Sequence, residues 1–435
     1  MVHDGGPVGL DGVQVRFDDE RVVSDAGIAL AATLAERLGI EALVGRFVRL
    51  RPDRPGASSA GRKVMALIYA MALGADSTDD CDVLRAGRTR RLLGGWIPAP
   101  STLGTFLRAF TFGHVRQLDR VLAEALTRAW RAGAGFGSER LTVDVDSFVG
   151  EVHGYAKQGA AFGYTRQRGY HPIVASRAET GEVLHVRLRT GSANTQRGIL
   201  RFTDELIARV TRAGATGAKL LRADSGFWNT KVFARLERAG WTYSIGVRMT
   251  KPIRGLIEQI DEDAWTTIDD YPDSGEAQIA ETTLGARRLI VRRVRTLGQQ
   301  GELFPSWRHF PFLTNRSEPI TLVESEHRQH AVVELVIRDL QDQALAHFPS
   351  GQFHANGAWT VIAALAHNLL RWTEVIGLPR RAVRAARTVR RRLLALPGRL
   401  TRHAGRWSLH LPARWPWKQD FIEALTRVRA LPGTA

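Results

Sequence analysis

Four acidic residues sit where a sequence could place metal chemistry. In LTVDVDSFVG, Leu141, Val143 and Val145 alternate with Thr142, Asp144 and Asp146. A strand there carries both carboxylates on one face, roughly 7 Å apart. Asp224 closes the apolar run KLLRAD and is followed by Ser225 and Gly226, a turn that leaves a strand-end carboxylate exposed. Glu334 lies near the start of the helical pattern AVVELVIRDLQDQ. Converging carboxylates are hard oxygen donors for Mg²⁺, and two ions about 4 Å apart can stabilise both the attacking and the leaving oxygen of a phosphodiester. Each acid also has a plain structural explanation. Asp146 and Asp224 fit turn chemistry, and Glu334 with Arg338 is a favourable i, i+4 helix pair worth a few tenths of a kcal/mol. The combination, in this order along the chain, favours catalysis.

The elements needed to position these acids are legible in the hydrophobic period. Residues 25–130 carry apolar positions at helical spacing, with Asp25 and Ser101 as candidate caps and breaks at Pro52–Ser59 and Gly94–Pro100. From Leu141 the period becomes two: LTVDVDSF, then PIVASRA and VLHVRLRTG separated by the turn residues Glu179, Thr180 and Gly181. The helix QRGILRFTDELIARVTRAG, the strand KLLRAD, the helix TKVFARLERAG and the strand WTYSIGVRM come next. Three strands in hairpin order and then alternating helix and strand predict an α/β mixed sheet with helices packed on it. Residues 252–325 read as short strands and turns, and helix returns at 327–346 and 356–372.

Composition narrows the partner. The 435 residues contain 61 Lys and Arg against 44 Asp and Glu, a formal charge of +17 that points to a polyanion, nucleic acid first. The last 56 residues alone hold 14 Lys and Arg and two acids, Asp420 and Glu423. In RRAVRAARTVRRRL, Arg380, Arg384, Arg387 and Arg391 are spaced for one helix face that could track phosphates, and a solvated amphipathic helix fits equally well. Cys81 is the single cysteine, so a thiolate metal site is excluded. No HExxH, GxGxxG or GxxxxGK[ST] occurs, which leaves zinc hydrolysis and a nucleotide cofactor unsupported. No apolar run is long enough for a membrane span and no basic, then apolar leader opens the chain, so the expectation is a cytoplasmic protein with no membrane partner.

The segments VDVDSF, LLRADSGFW and HRQHAVVELVIRDL, in that order, resemble the Asp-Asp-Glu (DDE) transposases of bacterial insertion sequences, specifically transposase DDE domain group 1. The likeness extends to GAAFGYTRQRGYHPIVA, LTNRS, HFPSGQFHANGAWTVIAALAHNLLRW and LPGRLTRHAGRWSLHLP, and is looser before residue 130. It implies a bacterial, nucleoid-associated protein with a ribonuclease-H-like catalytic core and a β-rich insertion, preceded by an α-helical domain and followed by a basic helical tail. The divisions expected are 1–135 (helical, DNA-binding or dimerising), 136–251 and 326–376 (core), 252–325 (insertion) and 377–435 (basic C-terminal region).

The resemblance further implies that Asp146, Asp224 and Glu334 hold two Mg²⁺ ions, with Mn²⁺ as substitute. A water would nick the element's end at its terminal inverted repeat, and the freed 3′-OH would attack target DNA, in cut-and-paste transposition by a homodimer on double-stranded DNA. Asp144 remains the alternative to Asp146, which is preferred because Ser147 follows it as a small polar residue follows the first aspartate in the family. Where relatives carry Tyr-x-x-Arg-x-x-x-Glu, this chain has His327 and His330 before Glu334, and later Arg338 and Gln341. Arg328, His330 and Arg338 are the DNA-contact candidates around the glutamate, Trp307 the candidate platform for a flipped base and Trp265 the lesser one. A catalytically inactive, transposase-derived basic DNA-binding protein is the alternative reading.

Overall fold

The computed structural model describes residues 11, 13–163, 166–269, 271, 275–296, 307–379 and 382–433. Its main sheet has nine strands: β1 Leu141–Ser147, β2 Ile173–Arg177, β3 Val183–Arg187, β4 Lys219–Ala223, β5 Thr242–Gly246, β6 Thr266–Thr267, β7 Gly275–Leu284, β8 Arg287–Thr296 and β9 Arg308–Thr314. They lie in the order β6-β7-β8-β9-β5-β4-β1-β2-β3. The pairs β1–β2 and β2–β3 are antiparallel, whereas β1–β4 and β4–β5 are parallel. This β3-β2-β1-β4-β5 arrangement, a hairpin meander followed by helical crossovers, is a ribonuclease-H-like core. The insertion continues the same sheet, because β9 pairs antiparallel with β5. Two of its strands are ten residues long, not short.

The helices that frame this sheet and carry its surroundings are α1 Ile28–Arg37, α2 Ile40–Phe47, α3 Ala60–Leu73, α4 Pro100–Arg108, α5 Phe112–Ala129, α6 Ile199–Ala213, α7 Thr230–Arg238, α8 Lys251–Glu258, α9 Ile320–Arg328, α10 Val332–Gln341, α11 Phe353–Gly377 and α12 Lys418–Ala430. The candidate caps at Asp25 and Ser101 are displaced: Gly27 precedes α1, and α4 starts with Pro100, whose fixed φ suits a first turn. The long helical pattern of 101–130 breaks at Thr111, which forms a capping box with His114.

Helix α11 is apolar on every side, which marks a helix at the centre of a core rather than on a surface. Of its 25 residues 22 are buried, and it packs on β3, α1, α3, α4, α5 and α12. One hydrophobic cluster therefore joins the N-terminal helices, the sheet and the C-terminal helix. Several polar groups on α11 find partners within the core, although His367 Nδ1 has none among the described residues. Asn368 accepts from the Val183 amide at 2.7 Å and donates to its carbonyl at 2.8 Å, and His367 Nε2 lies 2.8 Å from the Gly181 carbonyl. Two indoles, Trp130 and Trp372, donate to the buried Glu182 carboxylate at 2.9 and 2.7 Å, tying α11 and the end of α5 to the sheet. The basic C-terminal region holds, besides helix, an antiparallel pair Gly398–His403 and Arg406–His410, extended to three strands by Val22–Val23. No helix among the described residues is long and apolar enough to cross a membrane.

Candidate active site

Asp146 and Asp224 end up side by side because their strands run parallel. The β1–β4 register pairs Asp144 with Arg222 and Val145 with Ala223, so Asp146, still paired with Val174 on β2, and Asp224, just past the end of β4, lie at the same end of the sheet. Neighbouring strands lie about 4.8 Å apart. Asp146 is half-buried, and its Oδ1 accepts from the Ser147 amide at 2.6 Å. Asp224 is exposed and caps the short turn Ser225–Phe227 by accepting from the Gly226 amide at 2.9 Å.

Glu334 arrives from the other side of the chain. The turn Gln329–Ala331 joins α9 to α10 and lies on the sheet through His330, whose Nε2 is 3.2 Å from the Val145 carbonyl. One helical turn later, exposed Glu334 lines the same cleft as Asp224 and its charge bears on Asp146. Burial pushes the Asp146 carboxyl up to about 6, the Ser147 amide and His330 oppose the rise, and the charges of Asp224 and Glu334 add to it. The three carboxylates thus repel one another, and among the described residues none is ion-paired.

Asp144 is differently placed. It is fully buried, and Arg222 grips it with two bonds, Nε to Oδ1 at 2.7 Å and a terminal nitrogen to Oδ2 at 2.8 Å. The same guanidinium donates to the Glu326 carbonyl. Both faces of β1 are covered, so its alternation does not mark a solvent face. Nothing in the residues flanking Asp144 names Arg222 as its partner. Period two does offer a signal, since Arg222 stands two residues behind Asp224 as Asp144 stands two behind Asp146.

A cleft of about 360 Å³ opens beside Asp224 and Glu334, with Arg292, His309, His327 and Arg328 in its walls. Arg292 and Arg328 share the buried Glu324, at 2.7 and 3.0 Å. His327 stacks on Phe312 at 4.1 Å and lies 2.8 Å from the Ser244 hydroxyl. Burial, with His330 and nearby guanidinia, lowers its pKa to about 3, so it is neutral.

A family model for transposase DDE domain group 1 matches residues 6–433. The chain belongs to that family. No curated protein matches it. Among solved structures it is similar to the cryo-EM structure of the piggyBac transposase synaptic complex with hairpin DNA, at 12% identity and TM-score 0.45, over 86% of this chain and 80% of that one.

In this DDE family member the one group among the described residues whose ligand atoms all lie within 4.8 Å of one another is a different cluster, Asp119, His185 and Glu205. It is closed by arginine. Arg209 and Arg116 hold Asp119 at 2.6 and 3.0 Å, while Arg116, Arg201 and Arg187 hold Glu205. Burial alone would raise both carboxyls, but Arg209 and His185 keep Asp119 well below the usual carboxylate range, and His185 with Arg187 brings Glu205 down to about 2. The cluster is an internal ion network binding α5, α6 and β3.

The DNA-contact candidates are scattered. Arg338 is exposed on α10, and Arg328 lies over Tyr271 at 5.6 Å. His330 faces the strand backbone. Trp307 has Arg293 at 4.5 Å and Arg295 at 4.9 Å over its ring, and Arg293 is sandwiched between it and Trp265 at 4.1 Å. A base would have to displace a guanidinium to stack there. The arginine-rich stretch does not form one long helix face. Helix spans only Ala386–Val389 before a wider turn, Arg390–Leu394. Arg384 precedes it and is held by Glu374 at 2.7 Å and Asp420 at 3.5 Å. Arg387 and Arg391 are exposed. Arg380 lies outside the described residues.

Proposed function

We propose that this protein is the transposase of a bacterial insertion sequence, nicking DNA at terminal inverted repeats and joining the freed 3′ end to target DNA, with Asp146, Asp224 and Glu334 as its metal-holding residues. The carrying observation is the contrast within one strand: Asp144 is neutralised by Arg222, whereas Asp146, Asp224 and Glu334 meet without a cation. Three unpaired carboxylates of mixed exposure are the donor set for hard divalent ions. Mg²⁺ or Mn²⁺ bound there would supply Lewis acidity toward the scissile phosphate and lower the pKa of a bound water.

The chain's own residues do the rest. The paired strand ends fix two carboxylates, His330 fixes the distance of the third, and Arg292 and Arg328 place positive charge on the wall facing the phosphate. Arg338 extends that charge along α10 toward flanking DNA. The helical region 1–135 is assigned to the terminal repeats, and a homodimer brings two ends together. The test is nicking and strand transfer on duplexes carrying the element's own ends, in Mg²⁺ and in Mn²⁺. Asp224→Ala and Glu334→Ala should each abolish both reactions with DNA binding retained. Activity in either variant removes that residue from the mechanism, and DNA binding without cleavage by the unaltered protein supports the inactive DNA-binding alternative.

A further inference from the structure

The antiparallel pair Gly398–His410 is a ribbon fastened at one end. At its base, Val22 and Val23 pair with Arg399 and Gly398, the Leu400 amide donates to the Arg21 carbonyl at 2.9 Å, and buried Leu400 packs on Val23 and Ala26. At its tip, His403 and Arg406 face each other across the two-residue turn Ala404–Gly405. Both turn residues have positive φ, 47° and 79°, which gives the twist that holds a tight hairpin in register. Strand alternation puts Thr401, His403, Arg406 and Ser408 on one face and Arg402 with Trp407 on the other. From Arg402 to Ser408 all seven residues are exposed.

The charge here is unbalanced. Three guanidinia crowd the exposed Trp407 ring: Arg402 at 5.5 Å, Arg88 at 5.7 Å and Arg91 at 5.8 Å. Among the described residues none of the three, nor Arg406, is ion-paired to a carboxylate. By contrast, Arg222, Arg292, Arg316 and Arg371 in the core all are. The ribbon contains no acid, and among the described residues the only carboxylate bonded to it is Asp19, on Arg399 at 3.2 Å. Like charges gathered around one ring repel unless a polyanion neutralises them, and a two-stranded ribbon has the width to enter a major groove.

We propose that this ribbon is a DNA-docking element. Its tip lies in the major groove of a duplex, Arg402 and Arg406 contact phosphates, and Arg88 and Arg91 extend the contact along the backbone. The inference rests on the transposase reading for its ligand, and it names a surface that reading leaves open.

The experiment measures duplex affinity against salt for the full chain and for Arg402→Ala/Arg406→Ala. Each phosphate contact contributes about 0.9 to the slope of log K on log salt, so the double variant should lose roughly 1.8 and bind on the order of tenfold more weakly per arginine at 0.1 M salt. An unchanged slope overturns the proposal. In a second arm, His403→Cys adds a thiol to a chain whose one cysteine, Cys81, is buried. A photo-crosslinker attached there should label duplex DNA, and a reagent that labels only single strands, or nothing, overturns it. Failure of the unaltered protein to bind any duplex would sink the transposase reading. Retained binding and nicking with an unchanged slope in the double variant sinks the ribbon alone.

Discussion

Replacing Asp144 and Asp146 separately by asparagine should have opposite effects on stability and on metal binding. Asp144 is fully buried against Arg222, which is 3% exposed. Removing one partner of a buried pair strands the other charge and costs about 3–5 kcal/mol. With about 2.1 cal/mol/K of unfolding entropy per residue, a chain of 435 residues unfolding as a unit loses roughly 1 °C per kcal/mol, so Asp144→Asn should melt about 3–5 °C lower.

Asp146 behaves in the reverse sense. Its carboxyl is raised from the ordinary 3.8 to about 6, so between these limits the native state keeps a proton that the unfolded chain has released. Stability from this group is present at low pH and is lost as pH rises to about 6, by at most about 3 kcal/mol. Asp146→Asn cannot ionise, and in metal-free buffer it should melt up to about 3 °C above the unaltered protein at pH 7.5, with the gap closing at pH 4. Adding Mn²⁺ at a hundred times its dissociation constant should stabilise the unaltered protein and Asp144→Asn by about 2.7 kcal/mol, and Asp146→Asn hardly at all. Thermal melts of the three proteins at two pH values, with and without Mn²⁺, read all of this. If Asp144→Asn loses the metal response and Asp146→Asn keeps it, the assignment is refuted.

The same geometry sets three further outcomes. His330→Ala should weaken Mn²⁺ binding on the order of tenfold by releasing the glutamate helix from the Val145 carbonyl, with His330→Gln recovering part of it; equal Mn²⁺ affinity in all three proteins would exclude a positioning role. Glu182→Gln turns one acceptor toward two indole donors into an opposing donor, and should cost about 1–3 kcal/mol in denaturant melts, a loss that Trp130→Phe partly relieves by removing the stranded donor. His327 and His367 are each lowered to about 3 by burial, so the native chain takes up their protons later than the unfolded chain; stability should fall as pH drops from 6.5 toward 3, and His327→Phe should make that fall shallower.

How much of the molecule its sequence specifies depends on how local each determinant is. The strand at Leu141, the turn after Asp224 and the helix at Glu334 are written in runs of about ten residues, so these elements and the sheet that carries them are legible. The choice between Asp144 and Asp146 rests in sequence only on Ser147 and the family resemblance, because a period of two places both on the same face. Only the parallel register with a strand 78 residues away puts Arg222 beside one of them. The same limit explains Arg384. Its spacing with Arg387 and Arg391 suggests a free helix face, yet Glu374 on α11 and Asp420 on α12 reach it through folding. An arginine's neighbours in sequence say whether its charge repeats along a face, and only its neighbours in space say whether that charge is already neutralised. By this criterion Arg384 drops out of the run, while Arg387 and Arg391, like Arg402 and Arg406 on the ribbon beyond it, have no carboxylate to answer to among the described residues. The proposed metal site rests on the same rule with the sign reversed: the acids assigned to it are the ones that folding leaves without an arginine.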